Sequence, residues 1–476
     1  MDDHPITREW LLNLSASAAR NSLDEPRYWA SDQKILSASA SIHDFSLGTG
    51  ESIYANAILP AIEAAEREVL LITCFWARSK TLYAVNDALL KLSAKGQQSG
   101  RKIRVRIYFS SSSLTQKLFH PQTLQGRMWD AATWKMKLGL PAADEIPGVD
   151  LQVKSIFLLP FSVMHPKFVI VDRTKVLLPS CNVSWEDWFE GSVTLSGEIV
   201  SQFVTFWRQF WATEGDARLE WHNDAIRDAG PSSAKQGPQP LSSRALNLAE
   251  ISALFLPSPH HRNPRFAFLP WQPCPPTPVT PLNTFLLRAI SNAQKSIYIQ
   301  TPNLTAPPIL SALLAALRRG VDLTVVTSEE LMVLEQLVTA GTTTARCMRK
   351  LVKLYKRSGR RASKVGADDD PALLETGHPG VGHLAISYYA PQSSRTQQSR
   401  LSDRATPPEP VQSHLKLSIV DDEWTVLGSG NLDRASVFTS QELGVAFYSR
   451  DFAATVREEV DGAMEGRKKV LFDSAW

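Results

Sequence analysis

The sequence predicts an α/β protein built from two similar halves. Short strands rich in β-branched residues alternate with amphipathic helical stretches, which is typical of α/β layer architectures. The same order of segments occurs twice along the chain, and the pattern HxKxxxxD occurs once in each copy. The length of 476 residues also exceeds what one hydrophobic core usually supports. We therefore expect two core units, or one large double domain.

The repeat consists of three segments. An amphipathic stretch runs into a buried strand, a helical stretch ends at a glycine, and a second β-branched strand closes the copy. The segments are residues 61–76, 81–96 and 102–110 in the first copy and residues 289–304, 307–320 and 321–328 in the second. Strands that are connected through a helix usually pair in parallel, so each half is predicted to contain a parallel strand pair.

The HxKxxxxD pattern places a histidine two residues before a lysine, as His165 with Lys167 and His414 with Lys416. Apolar residues follow in both copies, so we interpret each copy as a strand whose residues i and i+2 share a face. A single HxK pattern is usually the solvated edge of a strand. Its recurrence inside a repeated framework predicts instead that the two pairs form one site.

Further polar residues recur after each histidine. Asp172 and Asp421 have the opposite parity and fall near the far end of the strand, which predicts that they anchor the structure. A Ser-x-Asn pattern follows each aspartate at the same spacing. Its members are Ser180 and Asn182 in the first copy and Ser429 and Asn431 in the second. Each half thus offers a histidine, a lysine and two neutral hydrogen-bonding groups.

Two such sets that face each other suit a phosphodiester substrate. Lysine, amide and hydroxyl groups can hold the non-bridging oxygens. A neutral imidazole can attack phosphorus while a protonated imidazole opposite it protonates the leaving oxygen, since the pKa of a free histidine is ~6.5. The motifs lack a carboxylate cluster of the kind that holds Mg²⁺, so we predict no metal and no other cofactor.

With these residues the chain resembles the phospholipase D superfamily, in which paired HxKxxxxD motifs are each followed by GSxN. The superfamily includes phospholipases D, cardiolipin and phosphatidylserine synthases, and some nucleases. The resemblance extends from Gly48 to the C-terminus. It implies two α/β/α sandwich halves around a pseudo-twofold axis, one shared active site, and a two-step reaction through a phosphohistidine.

The resemblance also implies roles for individual residues. His165 is expected to be the nucleophile and His414 the general acid, although the symmetry of the motifs leaves the reverse order open. The residues that match the family's phosphate-binding positions are Lys167, Lys416, Asn182 and Asn431, together with the motif serines Ser180 and Ser429.

Members of the superfamily carry an acidic residue after GSxN that orients a histidine. Glu442 fits this position in the second half, eleven residues after Asn431. In the first half the same spacing leads to Val193, and the nearby carboxylates are Glu190 and Glu198. We favour Glu190, with a plain surface carboxylate as the alternative interpretation of this residue.

Composition along the chain predicts the domain boundaries. A Pro/Gly/Ser-rich stretch between the halves is typical of a linker, and two polar, low-complexity stretches in the second half are typical of flexible insertions. The predicted parts are an N-terminal extension (1–48), a first half (49–222), a linker (223–250) and a second half (251–476) with insertions at about 357–381 and 391–412.

Charge, cysteine content and hydropathy limit the functional classes. The 51 Lys and Arg residues are nearly balanced by 48 Asp and Glu residues, which slightly disfavours a bulk nucleic-acid binder. Four scattered cysteines predict neither a disulfide framework nor a zinc site, so we expect an intracellular protein, cytoplasmic or peripheral to a membrane. The sequence shows no signal peptide and no apolar run near the ~18 residues of a spanning helix. Because both half-sites lie in one chain, a monomer is predicted.

Two segments bear on the substrate. The aromatic residues of SWEDWFEG (184–191) suit an acyl-chain entry or a membrane interface, with core packing as the alternative. The basic stretch RCMRKLVKLYKR (346–357) has cations at helical spacing, which suits anionic lipid headgroups, a nucleic-acid backbone, or a merely solvated helix face.

We therefore predict a phospholipase D-type phosphodiesterase or transphosphatidylase that acts on phospholipids, with peripheral membrane contact. A metal-independent nuclease of the same superfamily is the alternative, and a non-catalytic binding protein is the second alternative.

Overall fold

The computed structural model describes residues 4–18, 27–158, 162–217, 237–259, 276–368, 380–392 and 407–475. The strands are β1 (Ser37–Gly48), β2 (Glu68–Phe75), β3 (Ile103–Ser111), β4 (Arg127–Trp129), β5 (Val149–Ser155), β6 (Phe157–Leu158), β7 (Ser162–Val163), β8 (Phe168–Val171), β9 (Lys175–Pro179), β10 (Trp188–Ser196), β11 (Ser242–Ser258), β12 (Ser296–Gln300), β13 (Asp322–Thr327), β14 (Leu384–Tyr389), β15 (Gln412–Ser413), β16 (Leu417–Val420), β17 (Trp424–Gly428), β18 (Glu442–Tyr448) and β19 (Lys468–Asp473).

The helices cover the sheet and connect its strands. They are α1 (Pro5–Ala18), α2 (Gly50–Ile53), α3 (Leu59–Ala64), α4 (Lys80–Gln98), α5 (Leu114–Leu118), α6 (Ala131–Thr133), α7 (Ile199–Phe210), α8 (Glu214–Ala217), α9 (Pro281–Asn292), α10 (Pro307–Arg318), α11 (Val333–Ala340), α12 (Thr344–Asp368), α13 (Arg434–Phe438) and α14 (Arg450–Ala463), with shorter helical turns at Gln33–Leu36, Tyr54–Ile58 and Trp134–Leu138. No helix of the described ranges is long and apolar enough to cross a bilayer.

One continuous sheet joins the two halves. The first half has the strand order β4-β5-β3-β2-β8-β9-β10-β1, and the second continues from β1 as β11-β18-β17-β16-β12-β13-β14-β19. The two orders mirror each other about the antiparallel β1–β11 pair. The predicted α/β fold in two related halves is therefore confirmed.

The sheet is mixed in both halves. The repeated strands β2 and β3 pair in parallel, as do β12 and β13, which confirms the parallel pairs expected from the repeat. The motif strands β8 and β16 instead run antiparallel to β2 and β12 and form hairpins with β9 and β17. The short connection after each motif strand explains its hairpin, because only antiparallel neighbours can be joined by a tight turn.

The predicted boundaries differ from the observed elements in three places. Strand β1 falls in the predicted N-terminal extension, and the start of β11 falls in the predicted linker, yet these strands form the central pair of the sheet. Helix α12 continues to Asp368, well into the first predicted insertion. Residues 218–236, 369–379 and 393–406 lie outside the described residues, so the division into domains stays a prediction there.

The N-terminal helix α1 belongs to the second half by its packing. Trp10 is fully buried, its ring lies 6.3 Å from that of Phe285 on α9, and its Nε1–H donates to the carbonyl of Pro281 at 2.9 Å. Apolar residues of both halves form one core with this helix, and a second core fills the first half alone. The two halves therefore share buried surface, which fixes the position of a site between them.

Candidate active site

The motif histidines lie where the backbone pairs with the opposite half. The N–H of His165 donates to the carbonyl of Gln441 at 3.0 Å, and the N–H of His414 donates to the carbonyl of Phe189 at 2.9 Å. Strands β8 and β16 begin only after the motif lysines. This corrects the expectation that each His-x-Lys lies inside a strand, because the chain here still bonds across the junction of the halves.

A cavity of about 240 Å³ lies at this junction. His165 and Asn182 of the first half line it together with His414 and Asn431 of the second half. The predicted residues that are far apart in sequence thus meet around one space.

The motif lysines lie next to the histidines in buried positions. The ammonium of Lys167 donates to the carbonyl oxygen of His165 at 3.0 Å, and that of Lys416 donates to the carbonyl oxygen of His414 at 2.6 Å. Both lysine residues are buried. Each lysine is therefore held against the backbone of its own motif histidine.

Two glutamates each pair with the histidine of the opposite half. Oε2 of Glu442, in the second half, lies 2.9 Å from Nδ1 of His165, and Oε1 of Glu190, in the first half, lies 2.8 Å from Nδ1 of His414. Glu190 is only 2% exposed, so the alternative of a surface carboxylate does not hold. With Nδ1 engaged, Nε2 is the ring nitrogen that each histidine has left for a ligand.

The motif serines hold these glutamates. The hydroxyl of Ser180 donates to Glu190, and the hydroxyl of Ser429 donates to Oε2 of Glu442 at 2.6 Å. Each serine oxygen also accepts a backbone N–H from the strand that carries its glutamate, at 2.9 Å for Ser180 and 3.1 Å for Ser429. This differs from the predicted contact with phosphate, because the only hydroxyl proton of each serine points to a carboxylate.

The two asparagines differ in their partners. The side-chain oxygen of Asn182 accepts the backbone N–H of Phe75 at 3.2 Å, which leaves its NH₂ group to donate into the cavity. The NH₂ group of Asn431 instead donates to Oδ2 of Asp433 at 3.1 Å. The predicted symmetry of phosphate-binding groups is therefore broken at this pair.

Asp172 and Asp421 lie outside the cavity, as their parity predicted. The carboxylate of Asp172 accepts the backbone N–H groups of residues 66–68 at 2.8 Å, and that of Asp421 accepts those of residues 294–296 at 2.7–3.1 Å. Their φ angles are 49° and 55°, a region that aspartate tolerates better than most residues. Each aspartate thus ties the end of a motif strand to the start of the neighbouring strand.

Burial dominates the electrostatics of the site. It lowers the pKa of His414 to about 3 and also lowers the pKa of His165, against the opposing attraction of the partner glutamates. Burial lowers the pKa of Lys416 to about 7. Although burial alone would raise them, the pKa values of Glu190 and Glu442 are lowered by their histidine partners and hydrogen bonds. At neutral pH the site therefore contains neutral imidazoles and ionised glutamates.

Sequence reasoning missed several residues that line the cavity. Lys117 and Glu335 come from α5 and α11, far from either motif, and no pattern marks them. Asp433 also lines the cavity, and its position two residues after Asn431 could have predicted this. Trp188, named among the aromatics after the first motif, lies with its ring 4.7 Å from that of His414.

The cavity offers donors that suit an anion. Nε2 of each histidine, the NH₂ group of Asn182 and the ammonium of Lys117 all belong to side chains that line it. In the part of the chain that the structure describes, no three side chains of His, Cys, Asp or Glu are grouped so as to hold a metal ion.

Comparison with known proteins identifies a related family and fold. Residues 286–464 match the family model described as "Cardiolipin synthase, PLD-like domain". No curated protein sequence matches the chain. The family match confirms the recognition of a PLD-like domain over residues 286–464, which contain the second motif.

The chain has the fold of a phosphatidylserine synthase from Haemophilus influenzae Rd KW20. The likeness covers 94% of this chain and 92% of that chain, with 14% sequence identity and a TM-score of 0.51. Nuc, a phospholipase D family member from Salmonella typhimurium, matches 40% of this chain over 90% of its own length, with 20% identity and a TM-score of 0.25.

Proposed function

Because the chain has a phospholipase D-like fold and a PLD-like domain over residues 286–464, we propose that this protein is a phosphodiesterase or phosphatidyltransferase that acts on phospholipids. The observation that carries the proposal is the pair of histidines at one cavity, each held at Nδ1 by a buried glutamate of the opposite half. Histidines with a purely structural role would not require a cavity beside them or a buried glutamate at each Nδ1.

In the first step, Nε2 of His165 attacks the phosphorus of the substrate. An N–P bond forms, the bond from phosphorus to the leaving oxygen breaks, and Nε2–H of His414 donates a proton to that oxygen. Glu442 stabilises the positive charge that develops on His165, since a carboxylate at 2.9 Å favours the imidazolium form.

In the second step, neutral His414 accepts a proton from water or an alcohol, whose oxygen attacks phosphorus. The N–P bond breaks and His165 returns to its neutral form. His414 needs a proton for the first step, yet burial lowers the pKa of His414. The negative charge of a bound phosphodiester raises this pKa, so the substrate itself brings the general acid to its working protonation state.

The remaining motif residues divide into two groups under this proposal. Lys167, Lys416 and the NH₂ group of Asn182 stabilise the charge on the phosphoryl oxygens. Ser180 and Ser429 are positioning residues that fix the glutamates, which replaces the phosphate-binding role predicted from the sequence.

The cavity favours a lipid over a nucleic acid. Trp188 borders His414 within the cavity, and Met332 at its edge is 38% exposed. Trp185 is 61% exposed and packs on Phe75, which also lines the cavity, with ring centroids 5.9 Å apart. Apolar side chains around a phosphate site suit acyl chains.

The test is incubation of the protein with labelled phospholipids, with and without a primary alcohol. We expect release of a headgroup, and in the presence of the alcohol a new phosphatidyl-alcohol that reports the covalent intermediate. The reaction should persist in EDTA, and His165→Ala should abolish it.

His383→Ala is the matched control, because His383 also pairs with a carboxylate, Asp473 at 2.7 Å, but lies outside the cavity. It should react like the wild type. No turnover across a broad panel of phospholipids would refute the lipid proposal, and cleavage of single-stranded DNA or RNA in EDTA would then assign the site to a nuclease.

A further inference from the structure

Helix α11 has its polar side inside and its apolar side outside. Gln336 and Thr339 are buried, and the amide of Gln336 donates to Oδ1 of Asn303 at 2.8 Å. Leu334 is 76% exposed, and Leu337 and Val338 are exposed as well. A helix on a water-facing surface normally shows the opposite distribution, so this helix is built for a non-aqueous neighbour.

The first half places a similar surface on the other side of the cavity. Leu118, at the end of α5, is 57% exposed and Phe119 is 82% exposed. Trp185 is exposed beside them, and it lines with Phe119 a second cavity that adjoins the active site. We call these three residues, together with Leu334, Leu337 and Val338, the apolar rim.

The apolar rim lies next to residues that line the active-site cavity. Lys117, next to Leu118 in the chain, lines the active-site cavity from the first half, and Glu335, next to Leu334, lines it from the second. Six of the 15 exposed large apolar side chains of the described residues belong to the rim, and a seventh, Met332, lines the active-site cavity itself. Such a cluster beside one cavity differs from the scatter expected of an ordinary surface.

Cations accompany the apolar rim. Arg78, Arg127 and Lys137 line the second cavity beside Phe119 and Trp185. Helix α12 starts four residues after the end of α11, and the cations predicted at helical spacing, Arg346, Lys350, Lys353 and Arg357, are all exposed on it. Apolar side chains flanked by exposed Lys and Arg are complementary to a bilayer that contains anionic lipids.

We propose that the apolar rim and the cations beside it form a docking surface for anionic phospholipid bilayers, which seats the mouth of the active site on the membrane. This inference rests on the proposed function for its substrate but on separate residues for its contact. Docking lets a phospholipid move from the bilayer into the cavity with its acyl chains still among apolar groups.

A bilayer fits the surface better than a folded partner. The rim comes from three separate segments next to the active-site cavity, so a protein that covered all of them would also obstruct access to the site. A bilayer covers the same rim while supplying the molecule that enters the cavity.

The experiment is co-sedimentation of the full chain with vesicles of phosphatidylcholine alone or of phosphatidylcholine with phosphatidylglycerol. We expect binding to the anionic vesicles that weakens with added salt, and weaker binding to phosphatidylcholine alone. The double variant Leu334→Gln/Leu337→Gln should lower the partition coefficient about tenfold or more, since it removes two exposed apolar side chains. Its turnover of a short-chain phospholipid below the micellar concentration should equal that of the wild type.

Leu12→Gln/Leu90→Gln is the matched control, because both side chains are exposed but lie on α1 and α4, outside the rim. It should bind vesicles like the wild type. Equal binding by the rim variant and the wild type would overturn the inference. So would a wild-type dimer without lipid that the rim variant turns into a monomer, because a second copy would then be the occupant.

His165→Ala separates the inference from the proposed function, and it should bind vesicles like the wild type. Vesicle binding by a protein that never turns over phospholipid would leave the surface intact and refute the function. Turnover of short-chain phospholipid without vesicle binding would support the proposed function and refute the docking surface.

Discussion

The glutamates exchanged between the halves allow the roles of the two histidines to be told apart by pH. Glu190→Gln removes the negative charge 2.8 Å from Nδ1 of His414, and that charge acts to raise the pKa of this histidine. If His414 is the general acid, it must carry a proton in the complex, so kcat falls as the pH rises through its pKa. We therefore expect Glu190→Gln to move the basic limb of the kcat–pH profile to lower pH.

The size of the effect follows from the burial of the pair. Glu190 and His414 are 2% and 3% exposed, so solvent screens their interaction little. A hydrogen bond to a charged group contributes about 1.5–3 kcal/mol. Since one pKa unit corresponds to about 1.36 kcal/mol, the basic limb should move by about 1–2 pH units.

Glu442→Gln gives the mirror experiment on His165. The nucleophile must be neutral, so kcat rises with pH through its pKa, and loss of Glu442 lowers that pKa. We expect the acid limb to move to lower pH by about the same amount while the basic limb stays in place. The assay is headgroup release at saturating phospholipid across the pH range, with circular dichroism to verify folding.

Glu198→Gln is the control for both variants, because Glu198 is an exposed carboxylate of the first half that bonds only to Ser39 among the described contacts. Its profile should match the wild type. A shift of the acid limb in Glu190→Gln and of the basic limb in Glu442→Gln would reverse the assignment of nucleophile and acid. If neither limb moved, the proposed coupling between the halves would be refuted.

Three further predictions concern stability, measured by urea unfolding. Burial lowers the pKa of Lys416 from 10.5 to about 7, so in that pH window the unfolded chain binds more protons and this group's contribution to stability rises with pH. Lys416→Met should abolish this rise and abolish turnover. Asp421→Ala removes the acceptor of three backbone N–H groups at a φ of 55° and should cost about 2–4 kcal/mol without changing turnover per folded molecule. Glu409→Gln breaks a buried pair with Arg467, at 2.6 and 2.8 Å, and should cost about 3–5 kcal/mol.

Exposed counterparts serve as controls for these variants. Glu145→Gln removes a pair with Lys135 in which both side chains are about half exposed, and it should change stability by less than about 1 kcal/mol. If the stability of Lys416→Met rose with pH as steeply as that of the wild type, the effect assigned to the buried Lys416 ammonium would be contradicted. Loss of turnover in folded Asp421→Ala would show that this aspartate does more than anchor a strand.

The fold class and the pairing of the two motif histidines could be predicted from the sequence, because an internal repeat encodes both. His165 and His414 could be paired without knowing the topology, since the same pattern in two copies of one framework implies symmetric placement. Glu190 was harder, because its spacing departs from that of Glu442 and only the buried contact with His414 identifies its partner.

Other features depend on tertiary contacts that local patterns do not encode. The sequence of β1, SASASIHDFSLG, alternates serine with mostly small apolar residues up to Ile42 and then changes parity, a weak strand signal, yet the strand pairs on both edges with β10 and β11. The burial of the polar side of α11 cannot be predicted from helical periodicity. The periodicity shows that the two sides of a helix differ in hydrophobicity, but it does not show which side faces the core.

The exchange of glutamates makes the site a property of the joined halves. In a separate second half, His414 would lose the carboxylate that supports its protonated form, and Glu442 would lose the histidine that lowers its pKa. The same reasoning applies to His165 and Glu190 in the first half. Because each half buries a glutamate that pairs with a histidine of the other half, assembly of the site depends on docking of the halves. The central β1–β11 pair, which joins the two halves, therefore supports the geometry that the proposed reaction requires.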